Sequence, residues 1–138
     1  MTTELSDLTG RVYATLEYDA ANKWVACTWL GAQSKMNVLQ GSNACIALLQ
    51  LHACSCLLND SRQLIGIWSA KATDLLVAHW APRVIEAGLT HVATVAYPDS
   101  TAALYAEFME LNLEGRLHMR LFHHLAPAQQ WLQTCQAC

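Results

Sequence analysis

Hydrophobic periods of two and of about 3.6 take turns along this chain, and that order restricts it to a sheet with helices packed on it. Residues 11–18 set Val12, Ala14, Leu16 and Tyr18 against Arg11, Tyr13, Thr15 and Glu17. Successive strand residues point to opposite faces, so this alternation marks a strand with one polar face. Residues 23–30, rich in Trp, Val and Thr, form a second strand ended by Gly31. The short link Asp19-Ala-Ala-Asn22 makes the two a hairpin.

Beyond the hairpin the period lengthens. Ser34 caps a helix running to about His52, with Val38, Cys45 and Leu49, together with Leu39 and Ile46, on one face. Gly41 weakens that helix by about 1 kcal/mol relative to Ala, which marks it as a place of close packing. Residues 54–58 read as a buried strand, and Asn59-Asp-Ser61 as the turn after it. Residues 73–80 are helical, and Pro82 suits the first turn of a further helical segment ending near Gly88. Residues 90–97 are β-branched and apolar, a second buried strand. Asp99 or Ser100 caps a helix to about Leu113 that gathers Leu104, Phe108 and Leu111 on one face, and Gly115 stops it. Leu117, Met119 and Leu121 alternate with His118, Arg120 and Phe122 in a last strand. Residues 126–135 close the chain as a helix, Pro127 near its start and Trp131, Leu132 and Cys135 inward. The order β-β-α-β-α-β-α-β-α predicts an α/β fold: a mixed five-stranded sheet with an N-terminal β-hairpin and helices packed on it.

Length and composition bound the rest. The 138 residues suit one domain, 1–138, with no repeat or linker. With 54% hydrophobic and 14% charged residues, the chain is apolar enough to fold and to favour a self-association face. Net charge is −3, and the eight Lys and Arg are scattered. That argues against nucleic-acid binding, which needs a basic stripe, and against a polybasic membrane patch. No apolar run reaches the roughly 18 residues of a spanning helix. The polar, acidic start is unlike a signal peptide, so a cytoplasmic location is expected. The six cysteines, Cys27, Cys45, Cys54, Cys56, Cys135 and Cys138, lie mostly in apolar runs and read as reduced core residues.

Four stretches carry a likeness to a known fold family. They are Trp29-Leu-Gly31; Leu57-Leu-Asn-Asp-Ser61 with Ile67-Trp-Ser69; Trp80-Ala-Pro82 with Ala87-Gly-Leu89; and Ala128-Gln-Gln-Trp-Leu132. In these the chain resembles the SpoIIAA-like branch of the STAS superfamily, shared by anti-sigma-factor antagonists and cytoplasmic domains of anion transporters. The closer likeness is to small bacterial STAS-like proteins of unassigned function. The resemblance implies a SpoIIAA-like (STAS-like) fold and a non-enzymatic regulatory or protein-interaction module, with a protein partner or a second copy in a homodimer. It also implies that Asp60 and Ser61 form a phosphoacceptor or partner-binding loop. In regulatory members the phosphorylated hydroxyl sits at the start of the next helix, where amides meet the new charge. Arg62-Gln-Leu-Ile65 lacks the small residues that follow the acceptor there, and the plainer role of Asp60 and Ser61 is to shape a turn.

Other residue groups have the composition, but not the setting, of chemical sites. Cys135 and Cys138 have the spacing of a redox or metal half-site, but at the wrong end of a helix to acidify a thiol. Cys54 and Cys56, sharing a strand face, with His52 give three potential ligands, against which stands simple burial. His123 and His124 are adjacent on a strand end and point apart. His79, His91 and His118 have no acidic partner in sequence. No metal and no cofactor is expected, and no triad, phosphate loop or carboxylate pair is visible. Trp24 and Trp29 fall on opposite faces of one strand, so one of them should face away from the core. With Trp68 and Trp80 they outline a hydrophobic groove or interface. That groove supports a second function, a carrier or sensor of a small apolar, lipid-like ligand, by analogy with lipid-handling CRAL-TRIO domains. An enzyme with a dispersed site is the third.

Overall fold

The structure, a computed structural model, describes residues 2–66, 76–113 and 115–136. Its strands are β1 (Thr2–Ser6), β2 (Val12–Asp19), β3 (Trp24–Trp29), β4 (Gly31–Ala32), β5 (Cys56–Asp60), β6 (Leu64–Ile65), β7 (His91–Val95) and β8 (His118–Phe122). Its α-helices are α1 (Lys35–Leu51), α2 (Ala81–Glu86), α3 (Thr101–Leu113) and α4 (Leu125–Cys135), and a π-helical turn over Leu76–Trp80 leads into α2. The main sheet runs β1-β2-β3-β5-β7-β8. Its first three strands pair antiparallel. From β3 onward the pairing is parallel.

The mixed sheet is as expected, but it has six strands where five were predicted. The extra strand, β1, is exposed along nearly its whole length. It joins through its hydrogen-bond ladder to β2, in the register Thr2↔Glu17 to Leu5↔Ala14. An edge strand that buries almost no side chain leaves no hydrophobic alternation to read. β5 likewise extends through Asn59 and Asp60, which the sequence placed in a turn.

Both faces of the sheet are covered. One carries the larger core, in which Val25, Cys27, Trp29 and Leu57 of the sheet meet Val38, Cys45, Ile46 and Leu49 of α1 and Met109 and Leu113 of α3. The other packs Trp24, Cys56, Leu58, Ala93 and Val95 under Ala128 and Leu132 of α4. The expectation that either Trp24 or Trp29 faces outward is therefore wrong: they do lie on opposite faces, and each face is a core. Cys54 and Cys56 do not share a face either. Cys54 precedes β5 and joins the first core, whereas Cys56 joins the second.

Local signals set the helix ends. Ser34 caps α1, its hydroxyl accepting from the Asn37 amide at 3.1 Å. Ser100 does the same for α3 through the Ala103 amide at 3.1 Å. Gly115, at φ +77°, follows α3 in the left-handed region that glycine tolerates. Residues 73–75 of the predicted 73–80 helix lie outside the described residues. The largest surprise is the orientation of α3. Its inward residues are Ala102, Ala103, Ala106, Met109 and Leu113. Leu104, Phe108 and Leu111 stand in solvent, 64%, 44% and 72% exposed. The helix is apolar nearly all round, so periodicity could not tell its faces apart.

Close packing at Gly41 is borne out. A Cβ there would stand 2.9 Å from Cζ3 of Trp29 and nearer still to Cη2. Gly41→Ala should therefore destabilise the protein by about 1–3 kcal/mol through overpacking, despite the better helix propensity of Ala. Urea unfolding checks this: the midpoint falls, and the loss shrinks in a Trp29→Phe background.

Candidate functional site

Strand alternation puts Leu57, Asn59 and Ser61 on one face of the sheet, beside Trp29 from β3, Val92 and Thr94 from β7 and Met119 from β8. Helix α1 presents Val38, Ser42 and Cys45 to this surface at i, i+4 and i+7. Helix α3 presents Ala102, Tyr105, Ala106 and Met109, and Leu64 and Trp80 complete the wall. Small side chains at Ser42, Ala102 and Ala106 leave the two helices and the sheet unfilled, and a cavity of about 70 Å³ remains.

The cavity has few polar groups. The Trp29 indole Nε1 donates to Asn59 Oδ1 at 2.8 Å, which fixes the amide's orientation because indole can only donate. Ser42 spends its hydroxyl on the Val38 carbonyl at 2.7 Å, one turn back on α1. Among the described residues lining the cavity, none is His, Asp, Glu, Lys or Arg. Behind the wall, hydrogen bonding with Cys45 and then burial push the Cys27 thiol well above its ordinary range, so it stays protonated.

The structure brings only part of the expected site together. Asp60 receives Arg62 Nε at 3.0 Å on Oδ1 and Nη2 at 2.7 Å on Oδ2, a closed bidentate pair. Ser61 is 6% exposed. Its amide donates to the Val95 carbonyl at 2.8 Å. The chain then turns into β6 rather than opening a helix. Of the four tryptophans expected to outline a groove, Trp29 and Trp80 line the cavity. Trp24 sits beneath α4 on the far side of the sheet, and Trp68 lies outside the described residues. Cys138 does too, while Cys135 is half-buried. Cys27, Cys45, Cys54 and Cys56 are free and buried. The Cys54 thiol lies 3.4 Å from the Lys23 carbonyl and 3.2 Å from that of Cys56. Among the described residues no group of three or more His, Cys, Asp or Glu could hold a metal ion.

A second, open cleft runs along the starts of the parallel strands, where Lys23, His52, His91, Arg116 and His118 gather. Sequence reasoning missed this gathering because its residues come from four separate stretches. The pairing His91↔His118 in the β7–β8 ladder is the only signal that could have shown it. Their rings stack at 4.9 Å, and His52 stacks on Tyr18 at 3.9 Å. His123 bonds through Nδ1 to the Ala96 carbonyl at 3.0 Å.

With this geometry in hand, comparison with known proteins gives a fold. No family model matches the chain, and no curated protein matches it. Solved structures do. One is the 2.25 Å crystal structure of an uncharacterised protein of the DUF3478 family, with a SpoIIAA-like fold, from Shewanella loihica PV-4. It is 16% identical over 85% of this chain and 89% of its own, with a TM-score of 0.56. The fold is SpoIIAA-like, as the sequence resemblance implies. Among the described residues no helix is long and apolar enough to cross a membrane.

The histidine pair makes stability depend on pH. Burial, and then the neighbouring His118, lower the His91 pKa from its ordinary 6.5. The folded protein then binds this proton more weakly than the unfolded chain does, so His91 contributes stability that is fully present above about pH 6.5 and lost as pH falls through its native pKa. Melting temperatures at pH 7.5 and 5.5 should show an acid loss in the wild type that is smaller in His91→Gln.

Proposed function

We propose that this chain is a non-enzymatic STAS-like binding module that takes a small apolar ligand in the cavity between α1 and α3. The cavity carries this reading. A cavity holds one water for roughly every 10–15 Å³, so this one has room for a ligand of about five to seven heavy atoms. Its wall is mostly aliphatic, aromatic and thioether carbon and sulfur, which favours an apolar occupant over water. Catalysis asks for titratable groups converging on a reacting atom, and the charged and imidazole side chains described here stand elsewhere. A phosphoacceptor role for Ser61 requires local opening, since a kinase must reach a hydroxyl that the fold covers.

Ala106 offers the cleanest test. Ala106→Leu places three more carbons in the empty space. It should abolish ligand binding while raising stability by about 0.5–1 kcal/mol, as cavity filling commonly does. Native mass spectrometry of gently extracted protein should show a bound small molecule in the wild type and none in Ala106→Leu. Wild-type protein that is empty after every extraction, and that binds no apolar probe, overturns the proposal.

A protein-interaction module is the second reading, favoured by the exposed row Leu104, Phe108 and Leu111 on α3. Three large apolar side chains on one exposed helical face lose free energy by staying in water. If that row is a homodimer face, sedimentation at micromolar concentration shows a dimer that Phe108→Glu converts to monomer without loss of fold. A wild-type monomer at every concentration rejects the homodimer.

A further inference from the structure

The cavity has a polar end, and that end carries an inference about ligand chemistry that rests on the apolar-ligand reading above. Asn59 and Thr94 are direct partners in the parallel β5–β7 ladder, so their side chains stand about one strand spacing, roughly 4.8 Å, apart on the same face. Ser61 follows two residues after Asn59 on that face and is tied to β7 through Val95. All three line the cavity at the ends of the strands, while Leu57, Val92 and Met119 line it nearer their starts.

Ser61 and Thr94 are deeply placed, Asn59 is half-buried, and all three have capacity left over. Ser61 is 6% and Thr94 4% exposed, and among the described residues neither hydroxyl has a hydrogen-bond partner. Asn59 uses Oδ1 to accept from Trp29, which leaves its Nδ2 group as a donor. Buried hydroxyls and amides are ordinarily paired, because an unpaired one forfeits its hydration with no return. Three such groups at one end of a mostly apolar space, whose wall also includes the buried indole N–H of Trp80, unpartnered among the described residues, present hydrogen-bond donors to whatever fills it. The nearest charges are already committed: Asp60 alternates to the other side of the strand and is closed by Arg62. No cation among the described lining residues faces the cavity, so an ionised head would be desolvated without a counter-ion.

The geometry points to a ligand with an apolar body of about five heavy atoms and one neutral, hydrogen-bond-accepting head, a carbonyl or hydroxyl and not a carboxylate, seated at Asn59, Ser61 and Thr94. The apolar body lies toward Met109 and Met119. Ordered water on the same three groups is the competing occupant, and it makes no distinction between ketone, acid and hydrocarbon.

Methyl resonances of Met109 and Met119 read occupancy directly. Titration with 2-pentanone, pentanoate and n-pentane should shift both methyls, with the ketone binding at least tenfold more tightly than pentanoate. The double variant Thr94→Val with Ser61→Ala keeps side-chain size and removes both hydroxyls. It should weaken 2-pentanone about tenfold, in line with the modest worth of individual hydrogen bonds, and leave n-pentane within twofold. Thr94→Ser, which retains a hydroxyl, should keep the ketone preference and guards against a variant that fails to fold. Pentanoate binding as tightly as the ketone, or a double variant that keeps the preference, overturns the head assignment alone. If none of the three probes moves either methyl, the apolar-ligand reading falls and takes this inference with it.

Discussion

The indole of Trp29 holds the α1 side of this molecule together. Its ring lies against Gly41, so that α1 approaches the sheet more closely than any side chain at position 41 permits. Its Nε1 reaches across to Asn59 on the neighbouring strand. One side chain thus sets the height of α1, orients the amide at the polar end of the cavity and supplies part of the cavity's floor. The cavity exists because Trp29 props α1 while small residues on α1 and α3 fail to fill the gap. Packing that is tight at Gly41 and loose at Ala106 is a local departure from the uniform density of protein interiors.

Covering both faces of the sheet has a consequence for charge. Sheet strands buried on two sides have no room for charged side chains in their middles, so ionisable groups collect at the strand ends. At the far end of β5, Asp60 and Arg62 close on one another beside the cavity without entering it. At the near ends, Lys23, His52, His91, Arg116 and His118 line the open cleft. The same separation leaves the described wall of the cavity without a charged side chain.

Much of the fold was legible in the sequence because it depends on short-range rules. The Ser34 and Ser100 caps, the Pro82 start and the strands around Leu57 and Val92 are local signals, and each element forms within a few residues of its predicted place. The candidate site was legible only in fragments. Trp29, Trp80 and Ser61 were singled out, and all three line the cavity. Thr94 and Asn59 were not, since one polar residue in a β-branched run and one at a strand end look like ordinary sheet residues. Their importance arises from the β5–β7 register, which pairs residues 35 positions apart.

What the sequence by itself determined was the alternation of strands and helices, the mixed sheet that alternation implies, a SpoIIAA-like likeness carried by four stretches of residues, and the absence of a local motif for catalysis. The first two follow from periodicity and from capping, which act within one element at a time. Tertiary structure alone decided that β1 joins the sheet, that Trp24 and Trp29 are both buried, and which side of α3 faces inward. A strand that pairs through its backbone, a sheet covered twice and a helix with large apolar residues on opposite sides give the same sequence pattern for several arrangements. Only the fit of Ala102, Ala106 and Met109 against the sheet selects one, and by leaving Leu104, Phe108 and Leu111 in water it determines where the cavity lies.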